Sequence, residues 1–158
     1  MKRRSTFASV DKNMMNSAVI GLGDILSGDM GAGCCVLEML AQEIPEGALA
    51  LHYLARDAQY TGAFIFGMQY AVIVQALPLG GFPGRTYRWN LEAFRQNFGY
   101  FAGRYESLAR LGCAMDRTEL ASGLPRDMLF VWIEPERTDG AGLSGTARRA
   151  ARQSAQII

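Results

Sequence analysis

The sequence has one histidine, His52, and three cysteines, Cys34, Cys35 and Cys113. An odd cysteine count in a chain of ordinary core size implies no disulfide framework. It fits a reducing, cytoplasmic setting. Lysine is almost missing: two residues stand against fourteen arginines. Charge of one sign is also missing, because sixteen basic side chains meet fifteen acidic ones for a net +1. That balance excludes a broadly polyanionic or nucleic-acid-coating surface, and no specific nucleic-acid signal is present. The chain opens Met1-Lys2-Arg3-Arg4 but continues with polar residues from Ser5 to Asn16. No apolar h-region follows the basic start, so no secretory signal is expected.

One long stretch lacks charge altogether. Between Ala58 and Gly84 there is no ionisable Asp, Glu, Lys or Arg, and Tyr60–Leu77 reads YTGAFIFGMQYAVIVQAL. This approaches the ~20 residues of a membrane span. Gln69, Gln75, the small start Thr61-Gly62-Ala63 and Pro78 work against a span. A stretch that is apolar all round also describes the central helix of a soluble bundle, and that is the preferred reading. A membrane-associated subunit using residues 60–77 as a span is the alternative.

What is present is a core. Hydrophobic residues make up 49 % of the 158 positions, which excludes wholesale disorder and suits one domain. Asp11 can cap a first helix, in which Met15, Ala18, Leu22 and Ile25 recur at spacings of 3, 4 and 3 until Gly28. Cys34–Ile44 reads as a second helix stopped by Pro45, and Glu46–Gln59 as a third. Residues 78–84 (PLGGFPG) form a turn-rich connector. After it Leu91, Phe94, Phe98, Phe101, Tyr105 and Leu108 keep a 3-4 rhythm behind an Asn90 cap, with Phe98 central on the buried face. Glu106 and Arg110 make an i,i+4 pair in the favourable order. Asp116 to Glu119 resembles a capping box for a short helix ending at Gly123. Met128–Ile133 (MLFVWI) suits a strand by composition, but with no partner strand in view it is taken as a helix between Pro125 and Pro135. The predicted fold is all-α: a single compact bundle of five or six helices with flexible N- and C-terminal tails. The boundaries are a basic leader over 1–10, a helical domain over 11–137, and a Gly/Ala/Arg tail over 138–158 with a marginal helix at 146–156.

The chemical motifs are broken. The glycine string from Gly21 to Gly33 can mimic a strand entering a dinucleotide loop. However, Leu26 occupies the third glycine position and no Lys-Ser/Thr ending follows. A nucleotide-binding protein or enzyme using this loop is the weaker alternative. Vicinal Cys34 and Cys35 point apart on a helix and make a poor chelating pair. Nothing places His52 beside a thiol, so the cysteines read as small apolar side chains. Glu38, Glu43, Asp57 and Glu92 are isolated, without the spacing of a metal or acid–base pair. No cofactor, metal ligand or catalytic residue is assigned.

Aromatics and arginines crowd between positions 82 and 105. Phe94, Phe98, Phe101 and Tyr105 are explained as one helix face. Phe82, Arg85, Tyr87, Arg88, Trp89 and Tyr100 lie off that face or in the connector, with the Trp–Tyr–Arg composition of an interface hot spot. The sequence alone therefore points to a small, non-enzymatic helical interaction or assembly protein that binds a protein partner or itself as a homo-oligomer.

Overall fold

The computed structural model describes residues 16–158. The basic leader, the Asp11 cap and the Met14–Met15 start of the first predicted helix lie outside them. The described chain is an α/β fold and not a helical bundle. Its elements are β1 (Ser17–Leu22), α1 (Ala32–Glu43), β2 (Ala50–Ala55), α2 (Thr61–Ile65), β3 (Tyr70–Ala76), β4 (Thr86–Asn90), α3 (Leu91–Ala102), α4 (Glu106–Ser122), β5 (Asp127–Ile133) and α5 (Gly145–Ile157). The five strands form one sheet in the order β2-β1-β3-β5-β4. β1 pairs in parallel with β2 and β3, and β3 in parallel with β5. Only β4, at an edge, runs antiparallel.

Both faces of the sheet are covered, and this explains the misreading as helices. Ile20, Leu22, Ile73, Phe130 and Trp132 pack into one core with Ile65, Phe94, Leu108, Leu111 and Met115 of α2, α3 and α4. Their strand neighbours Val19, Val74, Val131 and Ile133 pack into a second core with Val36, Leu37 and Leu40 of α1 and Ala150, Ala151 and Ala155 of α5. A strand buried on both faces reads as a continuous apolar run and loses the period of two that marks a half-buried one. The predicted first helix is thus β1, and the predicted third contains β2. The charge-free stretch 60–77 is neither a core helix nor a span. It holds the five-residue α2, a turn at Gly67 with φ +72°, and then β3. No helix of the described residues is long and apolar enough to cross a membrane. Met128–Ile133 is also a strand, because the partner judged missing exists: Tyr70–Ala76 pairs with Asp127–Ile133 residue for residue.

The aromatic stripe is real but divided. Asn90 does cap α3, its Oδ1 accepting from Ala93 N–H at 2.8 Å. The chain then turns at Gly103, where the Arg104 and Tyr105 amides both donate to Phe101 O. Phe94, 3 % exposed, is the deep residue of α3 and stacks on Phe130 with ring centroids 4.3 Å apart. Phe98 is half-buried, its ring lying over Gly112 where an added Cβ would come within 2.2 Å. α4 does end at Gly123, but as one helix from Glu106 and not as a separate short one. The C-terminal segment is no flexible tail. Ser144 caps α5, and Ala147, Ala150, Ala151 and Ala155 are buried on its inner face.

Candidate functional site at the carboxyl edge of the sheet

Strand order reverses between β1 and β3: the chain leaves β1 for an edge at β2, then returns to β3 on the other side. In open α/β sheets the crevice beyond the carboxyl ends of the strands at such a switch is where ligands bind. Here that crevice is a cavity of about 430 Å³ lined by Gly23, Asp24, Ser27, Met30, Ala55, Arg56, Glu106, Ser107 and Arg110. The β1–α1 loop forms one wall, the end of β2 a second and the first turn of α4 the third.

The glycine string builds the loop wall, and Gly23 and Gly33 are its two tightest positions. Gly23 has φ +113°, and a Cβ there would fall 1.8 Å from Met30 O. At Gly33 a Cβ would lie 2.3 Å from Val74 O and 2.5 Å from Leu22 O, so this glycine lets α1 seat directly on the sheet. The strand entry weighed for the dinucleotide reading is therefore present, but the phosphate cradle is not. The Gly28 and Asp29 amides are already spent on Gly140 O (2.6 Å) and Arg137 O (2.9 Å). Asp29 adds a buried negative charge to the same loop. An anion cradle needs free amides and no such carboxylate.

Asp29 fastens the loop from within. Its carboxylate, fully buried, accepts from the amides of Glu136 (2.8 Å), Arg137 (3.1 Å) and Ser144 (2.6 Å) and from Ser144 Oγ (2.7 Å). Burial alone raises its pKa, but the four donors, led by Ser144, outweigh that and hold the carboxyl below the usual carboxylate range. Asp24, on the crevice wall, accepts from the Leu26 amide (2.9 Å) and Ser27 Oγ (3.0 Å). Arg56 closes on it through Nε (3.0 Å) and Nη2. The Leu26 amide, then Arg56 and Ser27, keep Asp24 ionised below its ordinary range.

Across the crevice Arg110 pairs with Glu106, as the i,i+4 spacing predicts. Ser107 Oγ accepts from Gln75 Nε2 at 2.8 Å. Gln75 is 2 % exposed, and its Oε1 has no hydrogen-bond partner. The Trp132 indole N–H, on the residue paired with Gln75 across β3 and β5, is likewise unpartnered.

This donor set does not suit a metal ion. Among the described residues no three His, Cys, Asp or Glu side chains stand close enough to hold one. The two crevice carboxylates are each closed by an arginine. His52 does not line the crevice; its ring lies tilted at 4.3 Å against Phe64 of α2, and burial lowers its pKa. All three thiols are free. Burial pushes Cys34 and Cys35 up, and Cys34 Sγ lies over the carbonyls of Gly21 and Gly23. They are poor nucleophiles in that state.

The residues singled out by composition lie elsewhere, around edge strand β4. Phe82 is 83 % exposed on the connector. Arg85 covers the Tyr87 ring at 4.9 Å, and the Tyr87 hydroxyl donates to Glu134. Glu134, itself buried, also accepts from the Leu79 and Gly80 amides, so it pins the connector. Arg88 is exposed on β4. Trp89 is half-buried between Trp132 (5.7 Å) and Phe101 (5.8 Å), and Tyr100 packs edge-on against Phe101 under Arg104. The structure joins these residues into one region but gives none of them to the crevice. Asp24, Arg56, Gln75, Ser107 and Arg110 were missed as site residues. The one available signal was the glycine-rich exit of an apolar run, read there as a helix end.

No protein-family model matches the chain, and no curated protein matches it significantly. Solved structures do. The hydrogenase maturating endopeptidase HybD from E. coli superposes with a TM-score of 0.79 at 17% identity, over 89% of this chain and 88% of that one. A solution structure of an endopeptidase from Escherichia coli gives 0.77 at 17% identity, over 89% and 87%. The [NiFe] hydrogenase maturation protease HybD from Thermococcus kodakarensis gives 0.68 at 19% identity, over 89% and 95%. These matches overturn the reading as a helical interaction or assembly protein, since structures with this architecture bear the names of proteases. The chain has the α/β fold seen in hydrogenase maturation endopeptidases.

Proposed function

We propose that this chain is a maturation endopeptidase, acting on a hydrogenase precursor polypeptide in the cytoplasm. The observation that carries the reading is the likeness to maturation endopeptidases over 89% of the chain, up to a TM-score of 0.79. The open polar crevice at the switch point of the same sheet supports it. The three free thiols support the cytoplasmic part.

Peptide-bond hydrolysis adds the water oxygen to the carbonyl carbon, passes through an oxyanion and breaks the C–N bond; the proton shed by the attacking water ends on the departing amine nitrogen, and the other stays with the new carboxyl group. Asp24 stays ionised and is the group that accepts a hydrogen bond from the attacking water. Its lowered pKa makes it a weak proton acceptor. The larger contribution therefore falls to the oxyanion, faced by the Ser107 hydroxyl and the Arg110 guanidinium beside the uncapped first turn of α4. Gln75 sets the Ser107 rotamer. In this proposal the protein partner expected from Phe82, Arg85, Tyr87, Arg88, Trp89 and Tyr100 is the substrate protein, docking away from the cut.

Incubation with hydrogenase precursor polypeptides, followed by intact-mass measurement, tests the reading. A single defined mass loss supports it, and precursors left whole across metal and pH conditions contradict it.

A further inference from the structure

Strand β4 ends one side of the sheet, with β5 as its only strand neighbour. Hydrogen bonds at its start fix which backbone groups face out. Ile133 O accepts from Leu77 N–H on the β3 side, whereas Glu134 N–H donates to Arg85 O on the β4 side. Successive strand residues turn these groups to opposite sides. Trp132 and Tyr87, which pair, therefore face each other, and Thr86 and Arg88 turn their N–H and C=O groups away from the sheet. No backbone bond among the described residues takes them up. The register against β5 runs without a bulge from Thr86 to Asn90 and includes no proline. Such a row is a template for another strand.

Charge decides what that strand is. Arg88 is exposed at the centre of the edge, and Arg85 lies over the Tyr87 ring at 4.9 Å. Among the described residues neither arginine has a carboxylate partner. Glu134, the acid beside Tyr87, is buried and taken by the Leu79 and Gly80 amides. A second copy paired antiparallel at the middle of this edge would bring two Arg88 side chains together on one face, an unfavourable like-charge pair. We propose that β4 takes an extended acidic segment of a polypeptide as an added strand, held by the outward backbone groups of Thr86 and Arg88. Arg85 stands on the Tyr87 side of the edge and Arg88 on the other. Neighbouring carboxylates of the segment, which alternate between the two sides, therefore each meet a guanidinium. This gives the protein partner a mode of docking and does not depend on the chemistry of the crevice.

Calorimetric titration at low salt with two end-capped peptides, Thr-Val-Glu-Glu-Val-Glu-Glu-Val-Thr and the same with Lys for each Glu, tests the proposal. The acidic peptide binds roughly tenfold more tightly, the difference expected for one charge-assisted contact. Its binding slows hydrogen exchange at the Thr86 and Arg88 amides and leaves Tyr87 and Trp89, already in the ladder, unchanged. Arg85→Gln and Arg88→Gln each shrink the preference for acid. Thr86→Pro, which removes an outward N–H and spares the ladder to β5, weakens the acidic peptide roughly tenfold with both arginines in place. Equal affinity for the two peptides, binding of neither, or binding that leaves the Thr86 and Arg88 amides exchanging as before overturns the proposal. So does a peptide-free dimer that already protects those amides, which gives the edge to a second copy. None of these readouts involves cleavage, so the peptidase reading stands or falls on its own test.

Discussion

Asp29 and Ser144, 115 positions apart, are joined by two hydrogen bonds: the Ser144 amide donates at 2.6 Å and its hydroxyl at 2.7 Å to the one carboxylate. The same serine caps α5 by accepting from Ala147 N–H at 3.2 Å. One buried charge therefore sets the β1–α1 loop, the segment after β5 and the start of the last helix in fixed relation. The crevice wall that holds Asp24 depends on that anchor.

Asp29→Asn keeps the shape but puts an NH2 against donors, and is expected to cost about 3 kcal/mol in urea denaturation. The pH dependence follows from the lowered carboxyl pKa. A depressed folded value gives stability that is complete above the unfolded value near 3.8 and is lost as pH falls through the folded one. Below about pH 4 the wild type should lose stability more steeply than Asp29→Asn. Parallel pH profiles would contradict this role.

Gly33→Ala tests the seating of α1. Its Cβ would meet backbone oxygens from two strands, at 2.3 Å and 2.5 Å, and neither can rotate away. The expected loss is about 3 kcal/mol, toward the upper end for overpacking. Gly47→Ala, with nothing within 4 Å but φ +82°, carries only a conformational penalty of about 1 kcal/mol.

Phe94→Ala should cost about 3–5 kcal/mol, the range for a buried phenylalanine, because it removes the ring stacked on Phe130. Phe98→Ala should cost roughly half as much, since Phe98 is only half-buried. The order of the two thermal midpoints distinguishes this packing from a single long helix centred on Phe98.

His52 is the only histidine, so its proton resonances need no assignment strategy. Burial beside Phe64 lowers its pKa from 6.5. An NMR titration should give a midpoint below that value. Because the unfolded chain then binds the proton more readily, the His52 contribution to stability is complete above pH 6.5 and declines as pH falls below it. A midpoint at or above 6.5 would show an open imidazole.

What the sequence disclosed was punctuation and burial more than fold class. The Asn90 cap, the 78–84 connector, the end at Gly123 and the Glu106–Arg110 pair are local events, governed by neighbours in the chain, and all are found. Ile73 and Phe130 show why the sheet was hidden. Each lies in a strand covered on both faces, so the apolar run carries no period to tell strand from helix. The two strands are also hidden together: Tyr70–Ala76 is the partner that makes Asp127–Ile133 a strand, so the period-free run of the one conceals the other. The crevice was hidden for a related reason: Asp24, Arg56, Gln75 and Ser107 lie on four different elements, and only the strand order brings them together.

The central claim is that the crevice acts on a polypeptide through the donors of α4. The most direct test compares wild type with Arg110→Gln and Ser107→Ala in the rate of precursor cleavage, read by intact mass. The account predicts one defined cut by the wild type and a loss of roughly 100-fold in each variant, as for removal of an oxyanion donor. Cleavage at the wild-type rate by both variants, or no cut by the folded wild type, would contradict it.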